Sequence, residues 1–270
     1  MTIAIVLMVI VWLAALIGRN HIRAQWWAYR LTHVEDPDTR SEYFQRLGLV
    51  GDAAVPAARN MLRSEDAGVR SFAVAVLNHT SDSLSRPLLM EAIDDPDAEV
   101  RRTAILGLSR RGPAPELVKR LVRMMQSQDA ERARQAIIGL AAIGSPDATA
   151  AMVDALKPCN HVAVRAQAME SLAEAGATEA IDALIGCLAD DTAYAGLTES
   201  ERFAREALKR IAGGSLGEGT FAAKRTIGDR AAYALGIICG QSFDYQSGDP
   251  ESKSRAIAAW RAWRDGDEHP

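Results

Sequence analysis

DAEVRRTAILGLSRRG at residues 97–112, DAERARQAIIGLAAIG at 129–144 and HVAVRAQAMESLAEAG at 161–176 are one pattern written three times, 32 residues apart. Ala104 falls on Ala136 and Ala168, Leu108 on Leu140 and Leu172, and Gly112 on Gly144 and Gly176. The register holds further on, where Leu121 maps to Val153 and Ile185, and Met124 to Leu156 and Leu188. A fixed period of this length marks a solenoid, in which each unit buries its apolar face only against its neighbours.

One unit reads as helix, tight turn, helix. Asp97 can accept from the open amides of a first turn. Val100, Ala104, Ile105 and Leu108 follow at helical spacing as one apolar stripe. Gly112 ends the helix, because glycine enters the left-handed region without steric cost. Pro113 and Pro115 open the second helix, whose broad apolar face is Leu117, Val118, Leu121, Val122, Met124 and Met125. Alanine at the repeated position lets helices approach closely, in keeping with an aromatic content of only 6%.

The strings VRSFAVAVL (69–77), VRRTAILGL (100–108) and VRAQAMESL (164–172) resemble the V-R-x-x-A-x-x-A-L signature of the HEAT-like repeats named after phycobilisome lyases, a pattern of bacterial proteins among others. The resemblance covers roughly residues 38–265. It implies an all-α, right-handed α-solenoid of helix pairs. It also implies a structural role for the Arg after the Val, bridging adjacent repeats through acidic loop residues; the matching positions are Arg70, Arg101 and Arg165. The fourth repeat departs from the pattern with Ala133, flanked by Arg132 and Arg134. At the C-terminus, GQSFDYQSGDPESKSRAIAAWRAWR (240–264) is similar to the ending of bacterial HEAT-like proteins, a G-x-D-F-x-Y loop before a W-x-x-W helix. Here Ser242 stands where that pattern has Asp. Phe243, Tyr245, Trp260 and Trp263 are expected to seal the last repeat, with Trp260 and Trp263 doubling as a candidate aromatic contact patch.

Outside the array the N-terminus is the strongest signal. Residues 3–17, IAIVLMVIVWLAALI, carry no charged or polar side chain. With Thr2 and Gly18 the run spans about 25 Å at about 1.5 Å per residue, the short edge of a transmembrane helix. No Lys or Arg precedes it; Arg19, Arg23 and Arg30 follow. The positive-inside rule then leaves the N-terminus outside and the repeats in the cytoplasm, a single-pass inner-membrane topology. A cleaved signal peptide followed by export is the alternative, weakened by the absence of a basic n-region and by the poor cleavage site at Leu13-Ala14-Ala15. Residues 19–37 are expected as a juxtamembrane helix whose Arg19, Arg23, Trp26 and Trp27 suit the headgroup layer; the rings could equally cap the first repeat.

The expected organisation is an anchor at 2–18, the juxtamembrane helix at 19–37, the repeat array at 38–240 and a cap at 241–270. After Asp191 the period slips: Ala207 and Ile211 fit seven residues late, so 192–200 is expected as an inserted loop with Tyr194 and Leu197 as candidate contacts. GGSLGEG at 213–219, followed by Thr220, lacks the Lys and the preceding strand of a phosphate-binding loop and is expected as a linker.

Composition narrows the function classes. A net charge of −4 gives no pull toward nucleic acid. Three cysteines show no metal-ligand spacing, and the acidic clusters lack the alternation of a calcium loop. No His-Glu pair occurs, which argues against the di-iron site of deoxyhypusine hydroxylase, a relative the resemblance brings in. Bilin lyases use this fold on tetrapyrroles without a short motif and stay as the alternative. The expectation is a non-catalytic scaffold with no cofactor, no metal and no small-molecule substrate. A protein partner would lie on the concave face of second helices, Lys119, Arg120 and Arg123 among them, and a membrane contact through residues 2–18.

Overall fold

A computed structural model describes residues 2–112, 115–158, 160–194 and 225–266, with side chains from Gly18 onward except Pro37 and Arg225. Among these residues regular structure is thirteen helices, two short 3-10 turns and one minimal β-ladder. The helices are α1 (Thr2–His33), α2 (Pro37–Leu49), α3 (Val55–Met61), α4 (Ala67–Leu77), α5 (Asp82–Ala92), α6 (Ala98–Ser109), α7 (Pro115–Met125), α8 (Ala130–Ile143), α9 (Pro146–Ala155), α10 (Val162–Glu174), α11 (Ile181–Cys187), α12 (Ile227–Cys239) and α13 (Pro250–Asp265). The chain divides into two compact units, Met1–Gly112 and Pro113–Pro270.

In the first unit α2/α3, α4/α5 and α6 stack as successive helix pairs. α4 packs on α3 and α6, and α5 on α6. Val69, Ala73, Val74 and Leu77 of α4 and Val100, Ala104, Ile105 and Leu108 of α6 are buried, the residues the repeat pattern places on one stripe. Asp36, Asp66 and Asp97 cap α2, α4 and α6 by accepting first-turn amides. The juxtamembrane segment is not a separate element. Nothing in the sequence breaks the helix between Gly18 and Asp36, so it is the C-terminal half of α1, continuous from Thr2. Its Ala24, Ala28 and Leu31 are buried where α1 packs on α2 and α3.

In the second unit α8, α10 and α12 form a contiguous layer, with α7, α9 and α11 packed against it and α13 on α11. Ala136, Ile137 and Leu140, then Val164, Ala168 and Leu172, then Ile227, Ala231 and Leu235 fill the layer. The repeated glycines Gly112, Gly144 and Gly176 have φ of 88°, 61° and 63°, a backbone region that disfavours any side chain.

The expected repeat at Ala207 and Ile211 lies outside the described residues. α12 packs directly on α10, which brings Ile227, Ala231 and Leu235 beside residues 63 positions earlier. The chain leaves through β1 (Ala193–Tyr194) and returns through β2 (Arg225–Thr226), antiparallel, with Ala193 paired to Thr226. The start of α12 is pinned there: Ile227 N–H donates to the Thr192 carbonyl at 3.0 Å and Gly228 N–H to the Asp190 carbonyl at 2.8 Å. Leu197, the rest of the expected insertion from 195 to 200 and the linker at 213–219 lie outside the described residues.

Among the described residues no helix is long and apolar enough to cross a membrane. The side chains of the apolar run 3–17 lie outside that description.

Candidate interaction surface

The arginines fall into two classes. Arg70 donates to the Ser64 and Glu65 carbonyls, both at 2.9 Å, and its Nε and Nη2 grip Asp95 at 2.8 and 2.9 Å. Arg165 donates to the Leu156 carbonyl at 3.0 Å and to Asp190 at 2.5 Å. Each joins the first helix of a pair to the acidic loop 25 residues on. Arg101 donates to the Asp95 and Pro96 carbonyls, which holds the same loop from the other side. In the fourth repeat Ala133 is buried and Arg134 takes the inward position, nearly buried and paired with Glu131 at 2.6 Å. Arg111, which the repeat pattern does not single out, reaches back to the Leu77 carbonyl, Ser85 Oγ and Asp82.

These pairs set the charge states of their carboxylates. Burial pushes Asp95 up, but the Arg70 hydrogen bond, the Asp97 amide and the Arg70 and Arg101 charges outweigh it and hold the carboxyl below its usual range. Burial likewise opposes, and Thr192 and Arg165 overcome, the same shift at Asp190. Cys187 lies under Arg165 and is buried, and burial pushes its thiol up. Cys187 and Cys239 are free thiols; Cys159 lies outside the described residues.

A second set lies toward the surface. Arg59 and Arg63, one turn apart at the end of α3, are exposed, and their guanidinium groups have no partner among the described residues. They line a groove of about 430 Å³ between α3 and α5, together with Leu62, Pro87, Leu88, Glu91, Ala92 and Asp95, the last already held by Arg70. On α7, Lys119 makes only a solvent-exposed pair with Glu116, Arg120 is half-buried, and Arg123 is exposed with no partner among the described residues. Sequence reasoning found the α7 cations and missed Arg59 and Arg63. Their i, i+4 spacing across the end of the second helix was the available signal.

The C-terminal aromatics are packed from inside. Trp260 is fully buried, edge-on to Phe243 at 4.8 Å and to Trp263 at 5.6 Å. It cannot be part of a contact patch, which corrects that expectation; Trp263 is half-buried beside it. Tyr245 donates to Asp229 at 3.0 Å, and Asp229 closes a capping box with Thr226 at the start of α12. Burial raises Asp229, while the Thr226 amide, Ser247 and Tyr245 lower it further, so its carboxyl ends below the usual range. The loop motif thus fastens α12 to α13 through one ring and one hydroxyl. Tyr194 of β1 lies under the Arg230 guanidinium, 5.2 Å from ring centroid to Cζ.

At the N-terminal end Arg19 and Arg23 are exposed, Trp27 is half-buried, and Trp26 stands edge-on to the buried Tyr43 at 5.8 Å with half its surface in solvent. Arg30 lies over both rings and donates to the Tyr43 hydroxyl.

Among the described residues no group of three or more His, Cys, Asp and Glu side chains is arranged to hold a metal ion. The arrangement offers grooves, exposed cations and apolar edges.

A family model for HEAT repeats matches residues 24–109, 63–138, 86–162 and 115–200 in overlapping registers. No curated protein sequence matches the chain. Among solved structures, human deoxyhypusine hydroxylase in complex with glycerol is similar at 14% identity over 92% of this chain and 98% of that chain, with a TM-score of 0.33. At that score the likeness says nothing about this chain's chemistry.

Proposed function

This chain belongs to the HEAT-repeat family, and from that premise we propose that it is a non-catalytic scaffold held at the inner face of a membrane, where its second helices receive a protein partner. The observation that carries the reading is the groove beside α3 that two exposed arginines line. Arg70, Arg101, Arg111 and Arg165 are buried or half-buried and committed to the fold. Arg59 on α3, Arg63 in the turn just past it and Arg123 on α7 stand exposed without partners among the described residues. Exposed guanidinium groups beside a partly apolar groove suit an acidic segment of a partner, since Arg offers a planar fork to carboxylates.

The tether is the apolar run 3–17, which α1 continues without a break into the first unit. Arg19 and Arg23 lie just past it, where the positive-inside rule places cytoplasmic cations. Tethering raises the scaffold's effective concentration for a partner confined to the same surface.

The test is membrane fractionation with protease protection on a C-terminally tagged chain, followed by crosslinking in intact membranes. A pelleted tag that is digested only once the inner membrane is opened, with a defined partner crosslinked through Arg59→Cys or Arg63→Cys, supports the scaffold. A soluble chain shortened at its N-terminus, or a coloured purified protein carrying a bound tetrapyrrole, overturns it.

A further inference from the structure

α1 presents two faces. Ala24, Ala28 and Leu31 point into the first unit and are buried. Ile22, Trp26 and Tyr29 are 72%, 51% and 59% exposed, and His33 follows them in the open. At 100° per residue these four fall within a sector of about 60°, on the side of the helix away from the buried face. Trp26 keeps one edge against Tyr43, and Tyr29 and His33 border a groove beside α3, yet three large apolar side chains this exposed in one stripe are unusual for a helix that is otherwise satisfied.

We propose that this stripe pairs in parallel with the same stripe of a second copy of the chain. The proposal rests on the tether reading, because the tether places both copies in one orientation. The spacing 22, 26, 29, 33 is 4-3-4, the alternation of d and a positions in a two-stranded coiled coil. In that register Arg23 and Arg30 are e positions, and the g positions are Gly18 and Gln25. A parallel pair sets e against g of the partner: Arg23 meets Gly18 and Arg30 meets Gln25, so no like charges meet at these flanking positions. An antiparallel pair would bring the two arginine edges together. Arg19 is itself an a position at the seam's membrane end, where it meets the same residue of the second copy, and its long side chain snorkels outward to the headgroups.

Geometry favours a helix over a lipid surface as the cover. α1 is uninterrupted from Thr2 to His33. If residues 3–17 cross the bilayer upright, Trp26 stands about 13 Å and Tyr29 about 18 Å beyond Ile17 at about 1.5 Å per residue. The headgroup layer extends only about 5–7 Å beyond the hydrocarbon on each side. The stripe therefore runs along the membrane normal and out of the headgroups, a course that a second helix can follow and a flat surface cannot.

The experiment uses the full chain in its native membrane, with Ile22→Cys, Tyr29→Cys and, on exposed α2 surface, Gln45→Cys, each oxidised mildly beside the unsubstituted chain. Disulfide-linked dimer from Ile22→Cys and Tyr29→Cys but not from Gln45→Cys or the unsubstituted chain is the expected result, and adding Trp26→Glu to Ile22→Cys should abolish it. All substituted sites are solvent-exposed or half-exposed, so loss of folding is not the expected cause. Equal crosslinking at every site overturns the pairing. So does a monomer whose Trp26→Glu form loses binding to anionic vesicles, which would make the stripe a lipid contact. Flotation of the same membranes separates the two readings: a chain that floats as a monomer removes the pair and leaves the tether, and a chain that dimerises without floating removes the tether alone.

Discussion

Arg70 and Asp95 face each other through two nearly parallel hydrogen bonds, with 11% and 9% of their side chains exposed. Arg165 makes the corresponding pair with Asp190 through a single hydrogen bond, its Nε going to the Leu156 carbonyl, and these side chains are 3% and 20% exposed. A fork of this kind fixes the loop that leads into the following helix of the stack, so it sets how successive layers meet. Breaking one partner strands the other in a desolvated site, which costs more than the pair contributes net. Arg165→Ala is therefore expected to destabilise the chain by about 3–5 kcal/mol. The midpoint of a urea unfolding curve measures it, and a loss no larger than that of an exposed arginine would refute the assignment.

Acid should loosen the same joints. Asp95, Asp190 and Asp229 each have a folded-state pKa held below the usual carboxylate value despite burial. A depressed carboxylate stabilises fully above its unfolded pKa, about 3.9, and loses that stabilisation as pH falls through the lower folded value. Thermal midpoints should be flat from neutral pH down to about 5 and fall below about 4. In the double variant Asp95→Asn, Asp190→Asn the chain starts less stable and its acid decline is shallower. An unchanged slope in that variant would mean the titration resides elsewhere.

Two glycines only 42 residues apart should respond to the same substitution with opposite signs. A Cβ on Gly228 would lie 2.4 Å from the Leu188 carbonyl oxygen, a backbone atom tied to the turn that launches α12. Gly228→Ala must displace one of them and is expected to cost about 1–3 kcal/mol. A Cβ on Gly186, inside α11, meets nothing within 4 Å. Gly186→Ala is expected to stabilise by about 0.5–1 kcal/mol through helix propensity. Parallel denaturant curves decide both signs.

Trp260 is the plug of the C-terminal cap. It is fully buried between Phe243 and Trp263, and its indole N–H finds no acceptor among the described residues. Its contribution is then packing alone. Trp260→Phe should retain most of the fold, whereas Trp260→Ala should cost about 3–5 kcal/mol. If Trp260→Phe and Trp260→Ala unfold at the same denaturant concentration, packing is not what the residue supplies.

What could be read from the sequence was what repeats locally. Val100, Ala104 and Leu108 recur at helical spacing, so the stripe, the turn glycine and the capping Asp follow from nearest neighbours. The stacking of α12 on α10 was hidden because Ile227, Ala231 and Leu235 return 63 residues after Val164, Ala168 and Leu172, close to two periods, and a one-period search stops at Ala207. Trp260 and Trp263 share a helical face, but spacing does not say which of two neighbours a second element covers; Phe243 and α11 decide that. Arg59 and Arg63 escaped notice because the first repeat is degenerate and no aligned position marks them. They stand out only once Arg70, Arg101 and Arg111 of the same unit are seen to be committed to the fold.

The partner surface makes the sharpest separation between folding and function. Arg59 and Arg63 touch no acid among the described residues, so reversing their charge removes no ion pair of the fold. Arg59→Glu with Arg63→Glu is expected to leave the unfolding midpoint within about 0.5 kcal/mol of the parent chain. The same pair of changes should abolish partner capture at the α3/α5 groove, since an acidic segment would meet like charge there. Arg59→Lys with Arg63→Lys keeps the charge and loses the planar fork, so it should bind with intermediate strength. Capture by the parent should weaken as salt rises, because exposed charges are screened over about 8 Å at physiological ionic strength. Quantitative crosslinking from membranes at low and high salt measures all of these together. Full capture by the charge-reversed chain would move the partner site off this groove while leaving the fold assignment untouched.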